Sequence, residues 1–163
     1  MFDCSKKKTQ KIVEYYGKDI LSSPGMQSEK KFIQHGVFSV YDHSVKVARV
    51  CVGIANFFHL KTDNRALVRG ALLHDYFLYD WHLTSPENGL HGFTHAACAL
   101  ENAKKDFVLS KKEENMILAH MFPLNLTLPK SRESVILCIS DKICATYETL
   151  HGFYKKIFSK RRK

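Results

Sequence analysis

Apolar residues recur every three or four positions along nearly all of this chain of 163 residues. That spacing defines one face of an α-helix, whereas the strict alternation typical of a half-buried β-strand is not found. A chain of this length can bury a core of its own. We therefore predict an all-α, multi-helix bundle that forms a single domain over 1–163, with its core at about 30–150.

Turn and capping residues divide this pattern into helices. A Ser-Ser-Pro-Gly run at 22–25 ends the first helix, a break at His35-Gly36 precedes the second, and Thr62-Asp63-Asn64 caps the third. We predict helices at about 6–21, 39–59, 65–75, 94–105, 111–120 and 131–158, with a short helical piece at 29–34. The loops at 76–94 and 121–129 are where we expect substrate selectivity to arise.

The distribution of charged residues bears on whether a nucleic acid is a partner, and the lengths of the apolar runs bear on whether a membrane is. The net charge is +9, and nine basic residues, at 6–8 and in a basic tail at 155–163, equal that excess. Solvated charge runs of this kind are common, and the basic stripe or zinc-finger spacing of nucleic-acid-binding proteins is absent. No run of about 18 apolar residues is present. We expect neither a nucleic-acid partner nor a membrane partner.

Cysteine content indicates the compartment. There are five cysteines, and none shows the paired spacing of a thiolate metal site. Cys51, Cys98, Cys138 and Cys144 lie in apolar helical segments, so we expect buried, reduced thiols. The first residues lack the apolar segment of a secretory signal. We accordingly expect a cytoplasmic protein.

Several histidines lie on apolar helix faces. His43 shares a face with Val47 and Ile54, and His74 shares a face with Ala71. His95 begins an apolar helical segment and His120 ends another, so both are expected near helix ends on the apolar side. Each one alone is consistent with an ordinary core histidine that donates a hydrogen bond to a carbonyl group.

Two aspartates make the pattern more informative. Asp75 follows His74 where the helical pattern ends, so both side chains can reach one point. Asp141 interrupts an apolar helix between Leu137 and Ala145. Aspartate is almost never fully buried without a cationic partner, and burying so many polar groups without a common partner is costly. Imidazole and carboxylate ligands suit Mn, Fe, Co, Ni or Zn, so we predict a divalent transition-metal site at the bundle centre.

Three stretches resemble the signature of the HD-domain superfamily of metal-dependent phosphohydrolases: VYDHSVKVA at 40–48, ALLHD at 71–75 and ISDKICA at 139–145. The family fold is an all-α bundle. The resemblance implies a metal ion held by His43, His74, Asp75 and Asp141. Branches of the family with two metal ions add one histidine from each of two intervening helices, and His95 and His120 fit those places, with Asp75 as the bridge.

The resemblance leaves some positions open. Either His91 or His95 could be the histidine ligand from this helix. We prefer His95, because a small residue, Ala99, lies four positions after it, as in the family. Many members continue after the His-Asp pair with a glycine and a lysine, whereas this chain has the aromatic stretch HDYFLYDWH. The candidates for substrate contact are His35, His82, His91 and Lys142. Further cations for a phosphate group are Lys46, Arg49 and Arg69.

These observations predict a metal-dependent hydrolase. The expected reaction is cleavage of a phosphate ester or anhydride of a small phosphorylated substrate, such as a nucleotide, with His74 and Asp75 at the catalytic centre. One or two metal ions would activate the attacking water. The alternatives are a di-iron oxygenase with the same ligands and a nucleotide-sensing binding module. The sequence does not determine the substrate, the native metal or the oligomeric state.

Overall fold

The computed structural model describes residues 2–80 and 91–160, apart from the side chains at 2–6, 91–93, 156 and 158–160. Eight α-helices in these ranges carry nearly all of the regular structure, and the predicted all-α class is confirmed. The helices are α1 Phe2–Tyr16, α2 Lys18–Leu21, α3 Pro24–Ser28, α4 Val40–Phe57, α5 Asn64–Leu73, α6 His91–Asp106, α7 Lys111–Ala119 and α8 Arg132–Lys160.

One small β-hairpin differs from the prediction of a short helix at 29–34. A 3-10 turn covers Glu29–Lys31, and antiparallel strands β1 Ile33–His35 and β2 Phe38–Ser39 follow. The loop between them has Gly36 at φ 63°, the left-handed region that a two-residue hairpin loop needs and that glycine adopts without steric cost. The expected break at Gly36 is therefore a hairpin turn.

The helix starts follow local capping chemistry. The Ser39 hydroxyl accepts a hydrogen bond from the Asp42 backbone N–H, and the Asp42 carboxylate accepts one from the Ser39 backbone, so α4 begins with a capping box. Ser110 and Glu113 do the same for α7. The Asp63 side chain caps α5 as predicted. The first predicted helix is interrupted at position 17 between α1 and α2.

Helix α4 lies at the centre of the bundle and packs against α1, α5 and α8. Its buried side includes Val47, Ala48 and Cys51. A Cβ atom on Gly70 would lie 2.7 Å from Met116 in α7, so the glycine permits a close approach of α5 and α7. The core therefore forms around the helices that carry the candidate site.

The cysteines follow the prediction except at one position. Cys51, Cys138 and Cys144 are buried free thiols, whereas Cys98 is half-buried. Cys98 lies beside the segment after α5, where its thiol is 3.8 Å from the Phe77 carbonyl oxygen. Among the described residues, no helix is both long enough and apolar enough to cross a membrane.

Candidate metal centre

The six predicted ligand residues lie together at the centre of the bundle. His43 lies one turn into α4, and His74 and Asp75 directly follow α5. The chain leaves the helix after His74, so these two neighbouring side chains reach one region, as the sequence predicted. The exposed fraction is 8% or less at each of His43, His74, Asp75, His95, His120 and Asp141.

The first group of ligand atoms comes from His43, His74 and Asp141, all within 4.8 Å of one another. The distance from Nε2 of His43 to Oδ1 of Asp141 is 3.1 Å. The distance from Nε2 of His74 to the same oxygen is 3.6 Å. Two imidazole nitrogens and one carboxylate oxygen therefore surround one point.

The second group comes from Asp75, His95 and His120. Oδ1 of Asp75 lies 3.4 Å from Nε2 of His95 and 3.5 Å from Nε2 of His120. The other oxygen of Asp75, Oδ2, lies 3.4 Å from Nε2 of His74 in the first group. Asp75 thus presents one oxygen to each group, which is the arrangement of a bridging carboxylate.

Hydrogen bonds on the outer side of three imidazole rings orient them toward this centre. Nδ1 of His43 donates to Oε2 of Glu148 at 2.8 Å. Nδ1 of His74 donates to the Ala71 carbonyl at 2.8 Å, and Nδ1 of His120 donates to the Ile117 carbonyl at 2.7 Å. With the proton on Nδ1, the Nε2 lone pair of each neutral ring points inward, as a metal ligand requires.

The inward atoms fit a bound cation. Nε2 of His74 and Oδ1 of Asp75 are enclosed and have no hydrogen-bond partner among the described residues. The Nε2 atoms of His95 and His120 face each other at 2.9 Å. Lone pairs and carboxylate oxygens so closely placed repel one another unless protons or cations separate them. Nitrogen and oxygen ligands of this kind suit divalent transition metals.

The neighbours of His43 and His120 shift the pKa values of these two imidazoles in opposite directions. Burial alone would lower the pKa of His43, but hydrogen bonds to Asp141 and Glu148 raise it to about 10. Burial and the His74 ring together lower the pKa of His120 to about 4. Glu148 adds a second carboxylate beside the first group, and a metal ion bound there would replace a proton.

The sequence analysis missed two polar residues that support the site. Gln34, in β1, donates from Nε2 to Oδ2 of Asp75 at 2.5 Å. Glu148, in α8, is fully buried and accepts from His43, and its other oxygen lies 3.1 Å from the Lys46 ammonium. The apolar neighbours of Glu148 on α8 were a signal, since they place a carboxylate two turns after Asp141 on the buried side.

A cavity of about 620 Å³ opens onto these residues. Its lining includes the polar side chains of Asp75, His95, His120 and Asp141 and the apolar side chains of Met121, Pro123, Leu124 and Ala145. No serine, threonine or cysteine is among the described residues that line it. Among the described lining residues, therefore, none offers a serine, threonine or cysteine nucleophile.

The structure places two of the four predicted substrate contacts at the cavity. His35 and Lys142 both line the cavity, and the His35 ring lies edge-on to His43 with 5.3 Å between centroids. The Lys142 ammonium donates to the His120 carbonyl oxygen at 3.1 Å, so it also holds the end of α7. His82 lies outside the described residues. His91 is the first residue of α6, and its side chain is outside the described set.

Three cations considered for a phosphate group lie elsewhere. Arg69 is buried, and its guanidinium donates hydrogen bonds to Glu113 and Asp19. These carboxylates supply the pairing that a buried charge requires. Lys46 pairs with Glu148. Lys46 and Arg49 line a separate groove of about 1070 Å³ on the outer side of α4. None of the three is among the described residues that line the candidate cavity.

A family comparison agrees with this geometry. The family model of the HD domain matches residues 40–146, which include all six candidate ligands. No curated protein and no solved structure matches the chain. Because the match covers more than half of the chain, this protein belongs to the HD-domain superfamily, whose members are mostly metal-dependent hydrolases that bind divalent metals.

Proposed function

We propose that this protein is a metal-dependent phosphohydrolase that cleaves a phosphate ester or anhydride of a small molecule such as a nucleotide. The observation that carries the proposal is the pair of three-residue ligand groups joined through Asp75. One or two ions of Mn, Fe, Co, Ni or Zn would be held there. Such ions lower the pKa of a bound water and polarise phosphoryl oxygens.

The protein residues would orient the ligands and define the reaction volume. His43, His74 and Asp141 would hold one ion, and His95 and His120 a second, with Asp75 shared. Gln34 fixes the orientation of the Asp75 carboxylate by donating to its Oδ2. Since no hydroxyl or thiol side chain is among the described residues lining the cavity, water is the nucleophile that the site supports.

The volume and the lining of the cavity support a small substrate that has both a charged group and an apolar group. Its volume of about 620 Å³ is in the usual range of small-molecule sites. The metal ligands would bind the phosphate group, and the Lys142 ammonium is a further cation of the lining. The apolar lining residues Met121 and Leu124 suit an uncharged group such as a nucleobase.

The first experiment is elemental analysis of protein purified without chelator, followed by hydrolysis assays with each metal ion. The substrates would be p-nitrophenyl phosphate and a panel of nucleoside mono-, di- and triphosphates. We expect up to two ions per chain and release of inorganic phosphate under argon. Bound iron together with turnover that requires O₂ would instead identify the protein as a di-iron oxygenase. Nucleotide binding without turnover would identify it as a nucleotide-sensing module.

The matched variants are Asp75→Asn and His59→Asn. Asp75→Asn keeps the shape of the side chain and removes its charge, so we expect activity to fall at least about a hundredfold. Loss of a residue that only hydrogen-bonds to a metal ligand costs about 10- to 100-fold. His59 is exposed, with φ 51°, and asparagine tolerates that conformation. Equal metal content and activity in the two variants would contradict the proposal.

A further inference from the structure

The outer face of α8 carries a continuous apolar surface. The inner side of this helix packs against α4, α5, α7 and β1. Seven apolar side chains on the opposite side are each 43% to 63% exposed. We call them the α8 stripe: Val135, Ile139, Ile143, Tyr147, Leu150, Phe153 and Ile157.

Helical geometry places the stripe on one side of α8. The intervals between its members are four, four, four, three, three and four residues. At about 100° per residue these positions fall within about 120° of the circumference, and the stripe is roughly 33 Å long. No charged residue falls within that arc between Val135 and Ile157. Helix faces that are exposed to solvent usually carry charged residues. We therefore expect this face to contact another apolar surface.

The exposed area matches what a stable protein interface needs. An aromatic side chain presents about 150–250 Å² when fully exposed, and the stripe has two, with five aliphatic side chains of roughly 100 Å² each. At about half exposure the sum is on the order of 450 Å². A standard interface buries about 800 Å² per partner, of which slightly more than half is apolar.

We propose that the α8 stripe is the interface of a homodimer in which α8 packs antiparallel against α8 of a second copy. A two-fold interface uses the same surface on both subunits, and a straight stripe with three-and-four spacing can pack against itself. An axis near Thr146 places Val135 opposite Ile157 and Ile139 opposite Phe153.

The charges of α8 favour the antiparallel direction. Lys155 and Lys160 lie at one end of the helix. A parallel pair would bring both basic ends together, whereas an antiparallel pair separates them by the length of the stripe. A lipid surface would favour basic residues along the whole stripe, but the part before Tyr147 has only Lys142 at its edge.

The test is the mass of the full chain in solution, by light scattering and sedimentation over a wide dilution series. The wild type is expected at twice the 18.8 kDa of one chain. The double variant Ile143→Glu/Leu150→Glu places charge in the interface, so we expect its dissociation constant to rise at least about a hundredfold. The matched control is Val108→Glu/Leu126→Glu, two loop residues that are both 91% exposed.

Circular dichroism and thermal unfolding establish that each variant is folded, so that loss of the dimer is separate from loss of structure. A wild type that is monomeric at every concentration would overturn the proposal, as would a dimer that the stripe variant leaves intact. Pelleting of a monomeric wild type with phosphatidylserine vesicles, lost in the stripe variant, would assign the stripe to a lipid surface instead.

The direction of packing has its own readout. With a short thiol cross-linker and the wild type as background, Thr146→Cys near the axis is expected to cross-link between copies. Ile157→Cys is expected not to cross-link to itself, because the two copies of position 157 lie at opposite ends. Efficient cross-linking at 157 would overturn the antiparallel arrangement.

Discussion

Three buried carboxyl groups near the candidate metal centre differ in charge because their neighbours differ. Burial favours the neutral form of Asp75, but the surrounding imidazoles, His74 first, lower its pKa to about 2. Burial likewise opposes ionisation of Glu148, and His43 and Lys46 outweigh it, so its pKa is lowered. Burial and the charge of Asp75 raise the pKa of Glu29 well above its usual value.

Glu29 gives a prediction about stability and pH. It is fully buried, and neither carboxyl oxygen has a hydrogen-bond partner among the described residues. A raised pKa means that the folded state binds this proton more tightly than the unfolded state, so stability is lost as pH rises above 4.5, the ordinary pKa of glutamate. We expect Glu29→Gln to unfold at a higher temperature than the wild type at neutral pH.

The comparison is thermal unfolding across a pH series, with the exposed Glu101→Gln as the control. The advantage of Glu29→Gln should shrink as pH falls toward 4.5, because both states of the wild type then carry the proton. A wild type and a Glu29→Gln variant with parallel pH profiles would contradict the assignment of Glu29 as a neutral buried acid.

Glu148 gives a prediction about metal affinity. Glu148→Gln can still accept the hydrogen bond from His43 but lacks the charge that makes the imidazole a stronger ligand. We expect the affinity for Mn²⁺ or Zn²⁺, measured by competition with a chelating dye, to fall about 10- to 100-fold. Glu14→Gln, at an exposed position in α1, should bind metal as the wild type does; equal affinities for all three proteins would refute the role of Glu148.

At the scale of the element, the β-hairpin is held against α8 by two glycines. A Cβ atom on Gly152 would lie 2.8 Å from Cα of Gly36, so the two backbones touch. This contact fixes the strand that carries Gln34 close to Asp75. A short hairpin in an otherwise helical protein thus positions a residue beside the candidate bridging ligand.

The paired substitutions Gly152→Ala and Gly53→Ala test that contact. The first forces the hairpin and α8 apart, so we expect the free energy of unfolding to fall by about 1–3 kcal/mol. A Cβ atom on Gly53, inside α4, would meet nothing within 4 Å, so this variant should gain about 0.5–1 kcal/mol from helix propensity. Chemical denaturation measures both, and a neutral Gly152→Ala would mean that the backbones do not touch in solution.

At the scale of the whole molecule, Arg69 links α5 to two helices that are distant in sequence, α2 and α7. It is 4% exposed, and its guanidinium donates to Glu113 in α7 at 3.0 Å and to Asp19 in α2 at 2.7 Å and 2.6 Å. The charged group is buried in a helix that leads directly to His74. Its partners come from elements 50 and 44 residues away in sequence.

Removing the Arg69 guanidinium takes the nearest cation away from Glu113, whose side chain is fully buried, whereas Asp19 is 57% exposed and can be solvated. We expect Arg69→Met to lower the free energy of unfolding by about 3–5 kcal/mol. Arg65→Met is the control, because Arg65 approaches the same Glu113 at 3.7 Å but is 58% exposed; a change within about 0.5 kcal/mol is expected there. Similar decreases in the free energy of unfolding for the two variants would show that the contribution of Arg69 to stability does not depend on its burial.

The helices and the candidate ligands could be read from the sequence because both depend on local order. Three-and-four spacing gives the helix faces, and His43 and Asp141 were found because each interrupts an apolar face. The cap at Asp63 acts on a backbone group within three residues, so the start of α5 was predicted from the sequence as well. The HD-domain resemblance rests on the same short stretches.

Contacts between distant segments were decided by the tertiary structure alone. Glu148 meets His43 across 105 positions, and Gln34 meets Asp75 across 41. The spacing of apolar residues predicts which side of a helix is buried. It does not predict which polar atom of another element lies next to that side, because this depends on how the elements pack. For the same reason the sequence alone determined an all-α chain with buried histidines and aspartates, while the hairpin, the outer hydrogen bonds and the uncovered face of α8 depended on how the helices pack.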